Sequence, residues 1–303
     1  MKTVVIFGGS GFVGKNIIRR IAKNGYKIIV PHQNPVNEAK LRLLGTTGQV
    51  VLFKFQSIKE KKILNILKNA DVILNLKTLW DEKKSSYQEG ILDFNINLVE
   101  IIRNIKKNPQ FLFFSGIGVD VNNDSDRSLA IFQSEQYIQK KLVNSIIVRP
   151  GVIIGGGDQF LNGLLPLFKI SFFIPLFGDG LSKFQPVYID DISLAINKII
   201  SSTLLGNHIF EFVGSEIFTY KDFYNYISEC IKKTRVLIKI PYGLAKLGVT
   251  ILDKISLSPL NTEQLKLFKK DNISSKKYEN FDNLDIKPQD LREIIKKFIL
   301  KNI

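Results

Sequence analysis

The chain predicts an α/β fold: a doubly wound parallel sheet with helices on both faces, followed by a smaller, mostly helical carboxyl-terminal lobe. Three observations predict it. Apolar, β-branched runs alternate with amphipathic segments six times before Pro150, which implies parallel strands joined by crossover helices. The first of these runs enters a GxxGxxG turn at Gly8, Gly11 and Gly14 without an intervening residue. Beyond Pro150 the alternation stops, and Gly155, Gly156 and Gly157 interrupt the chain.

Residues 3–7, Thr-Val-Val-Ile-Phe, read as a buried strand, and Ile17, Ile18 and Ile21 fall on one face of a helix over 15–24. Between them, Gly8 lets the chain turn off the strand, Gly11 brings backbone close to a pyrophosphate, and Gly14 lets the helix pack tightly on the sheet. A phosphate is then expected on the amides at the positive end of the helix dipole. Strand, turn and helix in this order are the opening of a dinucleotide-binding Rossmann unit. Valine at Gly11 is expected to cost nucleotide and stability together.

Residues 27–30 form the second strand, and 31–35 form the loop at its carboxyl end. An acidic side chain there would accept from the ribose hydroxyls of NAD, whereas an arginine would bind the extra phosphate of NADP. His32, Gln33 and Asn34 are neutral, and Lys40 and Arg42 follow. NADP(H) is therefore favoured over NAD(H). The third strand is expected over 49–55, a helix over 60–68, the fourth strand over 71–76 and a helix over 95–106. The fifth strand, 111–114, ends at Ser115, and a helix over 128–141 leads to the sixth strand, 145–150.

After the break, residues 161–177 are apolar and loosely helical, Asp191 suits the N-cap of a helix over 192–202, and 209–213 form a short strand. A helix follows over 220–232, then a helical tail over 240–303 with turns at Pro241, Pro259 and Pro288. Residues 1–150, rejoined by about 185–213, are expected to form the nucleotide-binding domain. Residues 151–184 and 214–303 are expected to form the lobe that closes over the carboxyl ends of the strands.

A net charge of +15 raises nucleic acid as a partner, but the charge is dispersed in lysine pairs such as Lys61-Lys62, Lys140-Lys141 and Lys296-Lys297. No nucleic-acid-binding motif accompanies it, so no nucleic-acid partner is expected. His32 and His208 lack ligand-spaced partners and Cys230 is the single cysteine, so neither a metal site nor a disulfide is expected. Asp190 and Asp191 read as helix capping. No run reaches the ~18 apolar residues of a spanning helix. Met1 and Lys2 run directly into a core strand, which points to a cytoplasmic protein.

These landmarks resemble the extended or atypical short-chain dehydrogenase/reductases. Residues 29–33 (Ile-Val-Pro-His-Gln), 44–49, 72–76, 147–150, 158–162 and 185–191 (Gln-Pro-Val-Tyr-Ile-Asp-Asp) narrow the resemblance, as do Ser258, Glu263, Asp271 and Pro288 in the tail. In order and spacing they are similar to the nucleotide-binding accessory subunit family of respiratory complex I, alpha-subcomplex subunit nine. The resemblance implies tightly held NADPH without evident turnover, and a partner in the peripheral arm of complex I, near its quinone-reducing region. It also implies contact with the membrane surface, here the cytoplasmic face of an inner membrane.

Carried over by position, Gly8, Ser10, Gly11, Phe12, Val13 and Gly14 wrap the pyrophosphate, and Leu76, Lys77, Ser115 and Pro150 line the ribose and nicotinamide end. Gln33 stands where the family has its 2′-phosphate arginine, and Gln56 where an aspartate faces the adenine. Both are departures, because a neutral amide cannot supply the charge of a guanidinium.

An active short-chain reductase needs a tyrosine to move the hydroxyl proton and a lysine four residues later to lower its pKa. Counting back from Arg149 places that dyad at Arg127 and Ile131, or at Ala130 and Ser134 in a looser register, and neither register holds it. Tyr137 and Lys141 have the spacing, but lie so near the sixth strand that packing and a solvated helix end are expected of them. Ser115 stands where a catalytic serine could stand, with no proton donor beside it. The expected function is thus nucleotide binding without independent catalysis. The competing readings are an NADP-dependent reductase or epimerase with an unusual proton donor, and a nucleotide-state sensor or assembly factor.

Overall fold

A computed structural model describes residues 1–33, 38–83, 85–120, 124–202, 204–254 and 261–302. Asn34, Ser258 and Pro259, invoked above, lie outside the described residues. The amino-terminal part runs β1 (Thr3–Phe7), α1 (Phe12–Ala22), β2 (Lys27–His32), α2 (Glu38–Arg42), β3 (Val50–Lys54), α3 (Lys61–Lys68) and β4 (Val72–Asn75). A π-helical turn over Gln88–Asp93 opens directly into α4 (Phe94–Arg103), followed by β5 (Gln110–Phe114), α5 (Asp126–Lys141) and β6 (Ser145–Pro150).

The remainder contains β7 (Ile153–Ile154), α6 (Phe160–Ile170), β8 (Phe173–Phe177), β9 (Lys183–Phe184), β10 (Val187–Tyr188), α7 (Ile189–Ser201), β11 (Asn207–Phe212) and β12 (Phe218–Thr219). Then come α8 (Tyr220–Cys230), β13 (Val236–Ile240), α9 (Tyr242–Lys254), α10 (Thr262–Lys266) and, after a single 3-10 turn, α11 (Leu291–Asn302).

Seven strands form one sheet in the order β11-β6-β5-β4-β1-β2-β3, and every pairing in it is parallel. Because successive side chains in a strand point to opposite faces, β1 feeds two cores at once. Val4 and Ile6 pack with α1 and α7 on one face, and Val5 and Phe7 with α3, α4 and α5 on the other. Strands buried on both faces must be apolar throughout, which is why the period-2 signal is absent from them. A third core gathers Leu161, Leu165, Phe168, Ile174, Phe184, Phe223, Ile227 and Ile295.

Three expectations are corrected. The run 161–177 is not helical throughout: α6 stops at Ile170, and Phe173–Phe177 pairs in parallel with β13 in the register Phe173↔Val236. The tail is not uniformly helical either, because residues 271–281 are irregular, turn at Lys276 with φ +58°, and bridge back at Phe184↔Asn272 and Phe210↔Glu279. Asp191 is not an N-cap. That position is Tyr188, and Asp191 lies buried inside the first turn of α7. Its carboxylate accepts from the backbone N–H of Gln289 at 3.0 Å and from Gln289 Nε2 at 3.1 Å. The tail is thereby clipped to α7.

Candidate nucleotide-binding site

The turn from β1 to α1 is fixed by what a side chain would strike. Gly8 has φ +76°, and a Cβ there would lie 2.8 Å from the Leu76 carbonyl carbon and 3.0 Å from the Lys77 nitrogen. A Cβ on Gly14 would come within 2.5 Å of Gly9 Cα. These two glycines are required by the protein's own backbone. Gly11 differs: its nearest neighbour would be Gly8 O at 3.4 Å, an ordinary contact, so its lack of a side chain leaves space beyond the fold itself. Ser10 and Gly11 are exposed. Gly11 is the N-cap of α1 without a side-chain cap, and no acidic residue occupies the first turn. The first-turn amides of a helix have no intrahelical acceptor, so this end offers donors and a positive potential to an anion.

Phe12 turns toward the loop after β7, where a Cβ on Gly155 would lie 3.5 Å from its ring. Val13 packs on the core shared by α1 and α7. At the end of β2, Gln33 is exposed and its Nε2 donates to the backbone carbonyl of Gln56 at 3.2 Å. Glu60 lies beside them, with Oε1 accepting from the backbone N–H groups of Gln56 (2.6 Å) and Ser57 (2.9 Å). Those bonds hold its carboxyl below its ordinary pKa. Lys40 and Arg42 are exposed on α2.

At the ends of β4 and β5 a buried polar network replaces apolar packing. Asn75 and Asn95 are both fully buried, and Asn75 Nδ2 donates to Asn95 Oδ1 at 2.8 Å. Asn95 Nδ2 in turn donates to Ile91 O and to Ser134 Oγ. Asn75 Oδ1 accepts from the Lys77 backbone N–H at 3.0 Å. The network fixes β4, α4 and α5 to one another and sets the direction of Leu76 and Lys77. Ser115 donates its N–H to Val148 O at 2.8 Å, and Pro150 O accepts from Ile117 N at 3.1 Å. Ser115 Oγ is buried and has no hydrogen-bond partner among the described residues. An unsatisfied buried hydroxyl costs free energy unless a ligand completes it.

On α5 the positions of the sought dyad are filled by other chemistry. Arg127 donates from Nε to Leu79 O at 2.7 Å and from Nη2 to Thr78 Oγ1 at 2.9 Å, and it stacks 3.8 Å over the Trp80 ring. Burial pulls its pKa down to about 10. Ala130, Ile131 and Ser134 are buried, with Ser134 Oγ donating back to Ala130 O. Tyr137 packs against the α4 and α5 core and donates to Glu100 Oε1 at 2.6 Å, a bond that raises its pKa. Lys141 Nζ sits 5.8 Å from the Tyr137 ring. A phenol already bound to a carboxylate, with its pKa raised, is poorly suited to donate or take a substrate proton.

The sequence of residues 4–126 matches the model of the NAD dependent epimerase/dehydratase family. Over 98% of its length the chain is 26% identical to the NADH dehydrogenase (ubiquinone) 1 alpha subcomplex subunit 9, mitochondrial, of Arabidopsis thaliana, and it covers 77% of that protein. It is 22% identical to the NADH-ubiquinone oxidoreductase 40 kDa subunit, mitochondrial, of Neurospora crassa, over 95% of this chain and 76% of the other. Among solved structures, dTDP-glucose 4,6-dehydratase from Bacillus anthracis in complex with NAD aligns with a TM-score of 0.76 at 14% identity, covering 99% of this chain and 96% of that one. A human epimerase family protein with NADPH gives 0.70 at 15% identity, over 99% and 100% of the two chains. These likenesses agree with the doubly wound fold and with the resemblance to the complex I subunit family.

Two parts of the site escaped sequence reasoning. Asn95 and Ser134 read as polar interruptions of helices, and their partners, Asn75 and Asn95, lie 20 and 39 residues away. Arg127 was visible as a departure, but its contacts with Thr78, Leu79 and Trp80 depend on a loop of irregular backbone. Among the described residues no group of His, Cys, Asp and Glu could hold a metal ion.

Proposed function

We propose that this chain is a non-catalytic, NAD(P)H-binding accessory protein of the complex I type, in which the bound dinucleotide is a structural ligand. One observation carries the reading: the phosphate turn and an unsatisfied Ser115 hydroxyl are intact beside an α5 that offers Arg127 in place of a proton donor. Gly8, Ser10, Gly11, Phe12, Val13 and Gly14 would hold the pyrophosphate on backbone amides. Leu76, Lys77, Ser115 and Pro150 would line the ribose and nicotinamide end, and Gln33 with Gln56 the adenosine end. When bound, the cofactor supplies hydride chemistry. The side chains of α5 supply no phenol beside the buried Ser115 to complement it.

NADP(H) is favoured over NAD(H), since Gln33 and Gln56 set no carboxylate against a 2′-phosphate and Lys40 and Arg42 add positive charge on α2. In this reading residues 1–150, with about 185–213, form the nucleotide-binding domain, and 151–184 with 214–303 form the lobe over it. Sequence likeness to the complex I subunits supports a partner in the peripheral arm of respiratory complex I.

The surface best suited to the membrane beside such an arm is the outer face of the β8–β13 pair. Phe173 stands opposite Val236 and Pro175 opposite Ile238, and Phe173, Val236 and Ile238 are exposed. Ile170 and Phe172 extend the face, and Lys232, Lys233 and Lys239 border it. Apolar side chains with a basic rim fit the headgroup layer of an anionic bilayer. No helix among the described residues is long and apolar enough to cross a membrane. The attachment proposed is peripheral, on the cytoplasmic face of an inner membrane.

The test is to purify the protein and identify any nucleotide it releases, then to titrate NADPH and NADH by thermal shift. Co-purifying or stabilising dinucleotide without turnover of carbonyl or sugar-nucleotide substrates is expected. An empty protein that neither cofactor stabilises would overturn the reading.

A further inference from the structure

Lys77 is placed by the same contacts that shape the phosphate turn. It follows β4 directly, its backbone nitrogen is the atom that a Cβ on Gly8 would approach to 3.0 Å, and its N–H is held by buried Asn75. The side chain is half-buried, and Nζ rests 4.0 Å above the centre of the Phe94 ring. Phe94 is itself buried and meets Phe7 edge-on, with ring centroids 5.6 Å apart. Among the described residues no carboxylate forms an ion pair with Lys77, and no acceptor lies within hydrogen-bond reach of its ammonium. Lys107, Lys266 and Lys297, by contrast, each meet a carboxylate within 2.8 Å.

An ammonium withdrawn from water without an anion is costly, and one aromatic face replaces only part of its hydration. Burial accordingly pushes its pKa below the ordinary lysine range. The fold thus holds an uncompensated cation on a rigid platform at the edge of the glycine turn.

We propose that the Lys77 ammonium, at the edge of the glycine turn, takes a phosphate oxygen of the bound dinucleotide. This rests on the reading that the Gly8–Gly14 turn holds a dinucleotide, and it assigns affinity within that site to one side chain. A lysine is suited to the task, because its compact point charge serves phosphate without requiring the bidentate geometry of arginine.

The test is Lys77→Met in the full chain, with melting of the ligand-free protein and titration by NADPH, NADH and ADP-ribose. A charge-assisted hydrogen bond of ordinary strength corresponds to a loss of about tenfold to a hundredfold in affinity. The melting temperature without ligand is expected to stay level or rise, since a buried charge has been removed. Lys77→Gln, which keeps a donor but no charge, should lose the same affinity. An equal loss for all three ligands assigns the contact to the pyrophosphate, and a loss confined to NADPH assigns it to the 2′-phosphate.

Unchanged affinity for every ligand overturns the proposal, as does a ligand-free melting temperature that falls in both variants, which would mark Lys77 as structural. Wild-type protein that binds none of the three overturns the nucleotide reading itself, a result distinguishable from unchanged affinity in the variants.

Discussion

At the scale of single residues, the glycine turn separates into two kinds of position. Gly14 is required by the fold: alanine there drives Cβ to 2.5 Å from Gly9 Cα, and backbone cannot yield as a side-chain tip can. Overpacking of this kind costs about 1–3 kcal/mol. Gly11 is open, so valine there forfeits only the glycine N-cap, about 0.5–1 kcal/mol. The joint loss expected from sequence therefore divides. Urea melts with NADPH titration should show Gly14→Ala destabilised even without ligand, and Gly11→Val nearly as stable as wild type but deficient in binding. The need for glycine at Gly8 and Gly14 was legible because they lie at a strand end and a tight turn, where backbone geometry dictates residue type, whereas Leu76 and Ser115 were named only through the family resemblance. The partner of Asn95 and the stack of Arg127 on Trp80 were not, because only packing across the sheet brings them together.

At the scale of elements, six β-strands and their helices were legible because buried parallel strands are apolar throughout and the helices between them keep a 3.6-residue period. β8 was not. Its residues, Phe173–Phe177, continue the apolar run of α6 and contain Pro175, and their extended form depends on β13, which begins at Val236. The role of Asp191 was hidden for the same reason, since its partner Gln289 stands 98 residues away.

That clip has a pH signature. Burial raises the Asp191 pKa above 3.8 against the opposing bonds from Gln289. An acid whose folded pKa is raised favours the folded state when protonated, and that advantage is lost as pH rises through the window above 3.8. Wild type measured against Asp191→Asn should therefore be relatively more stable at pH 4.5 than at pH 7.5. Urea denaturation of both proteins at the two pH values checks this, and an unchanged difference would contradict it.

At the scale of the whole molecule, a dinucleotide lying across the carboxyl ends of the sheet would link stability to occupancy. A ligand bound only by the folded state contributes about 4 kcal/mol at a thousandfold excess over Kd, a large share of a domain's net stability. The charge of +15 acts at this scale too. It is dispersed, but Lys232, Lys233 and Lys239 border the exposed face of Phe173, Val236 and Ile238. The protein should float with vesicles containing anionic phosphatidylglycerol and not with neutral ones. Binding should weaken with salt and disappear in Phe173→Glu/Ile238→Glu, and equal flotation of that variant would remove the face from consideration.

The irregular stretch after α10 bears on the order in which the molecule can be completed. Buried Glu211, on edge strand β11, receives its donors from Ser274 Oγ and from Ser275 N and Oγ, while Asn272 Nδ2 donates to Ile117 O. A chain emerging from the ribosome makes β5, β6 and β11 well before residues 271–281 exist. Until then the Glu211 carboxylate lacks the donors that replace its water in the finished fold, and the flank of the sheet stands open. The sheet, begun at β1, is sealed only by residues far downstream, so a product that ends before residue 271 should be more open to proteolysis than the full chain.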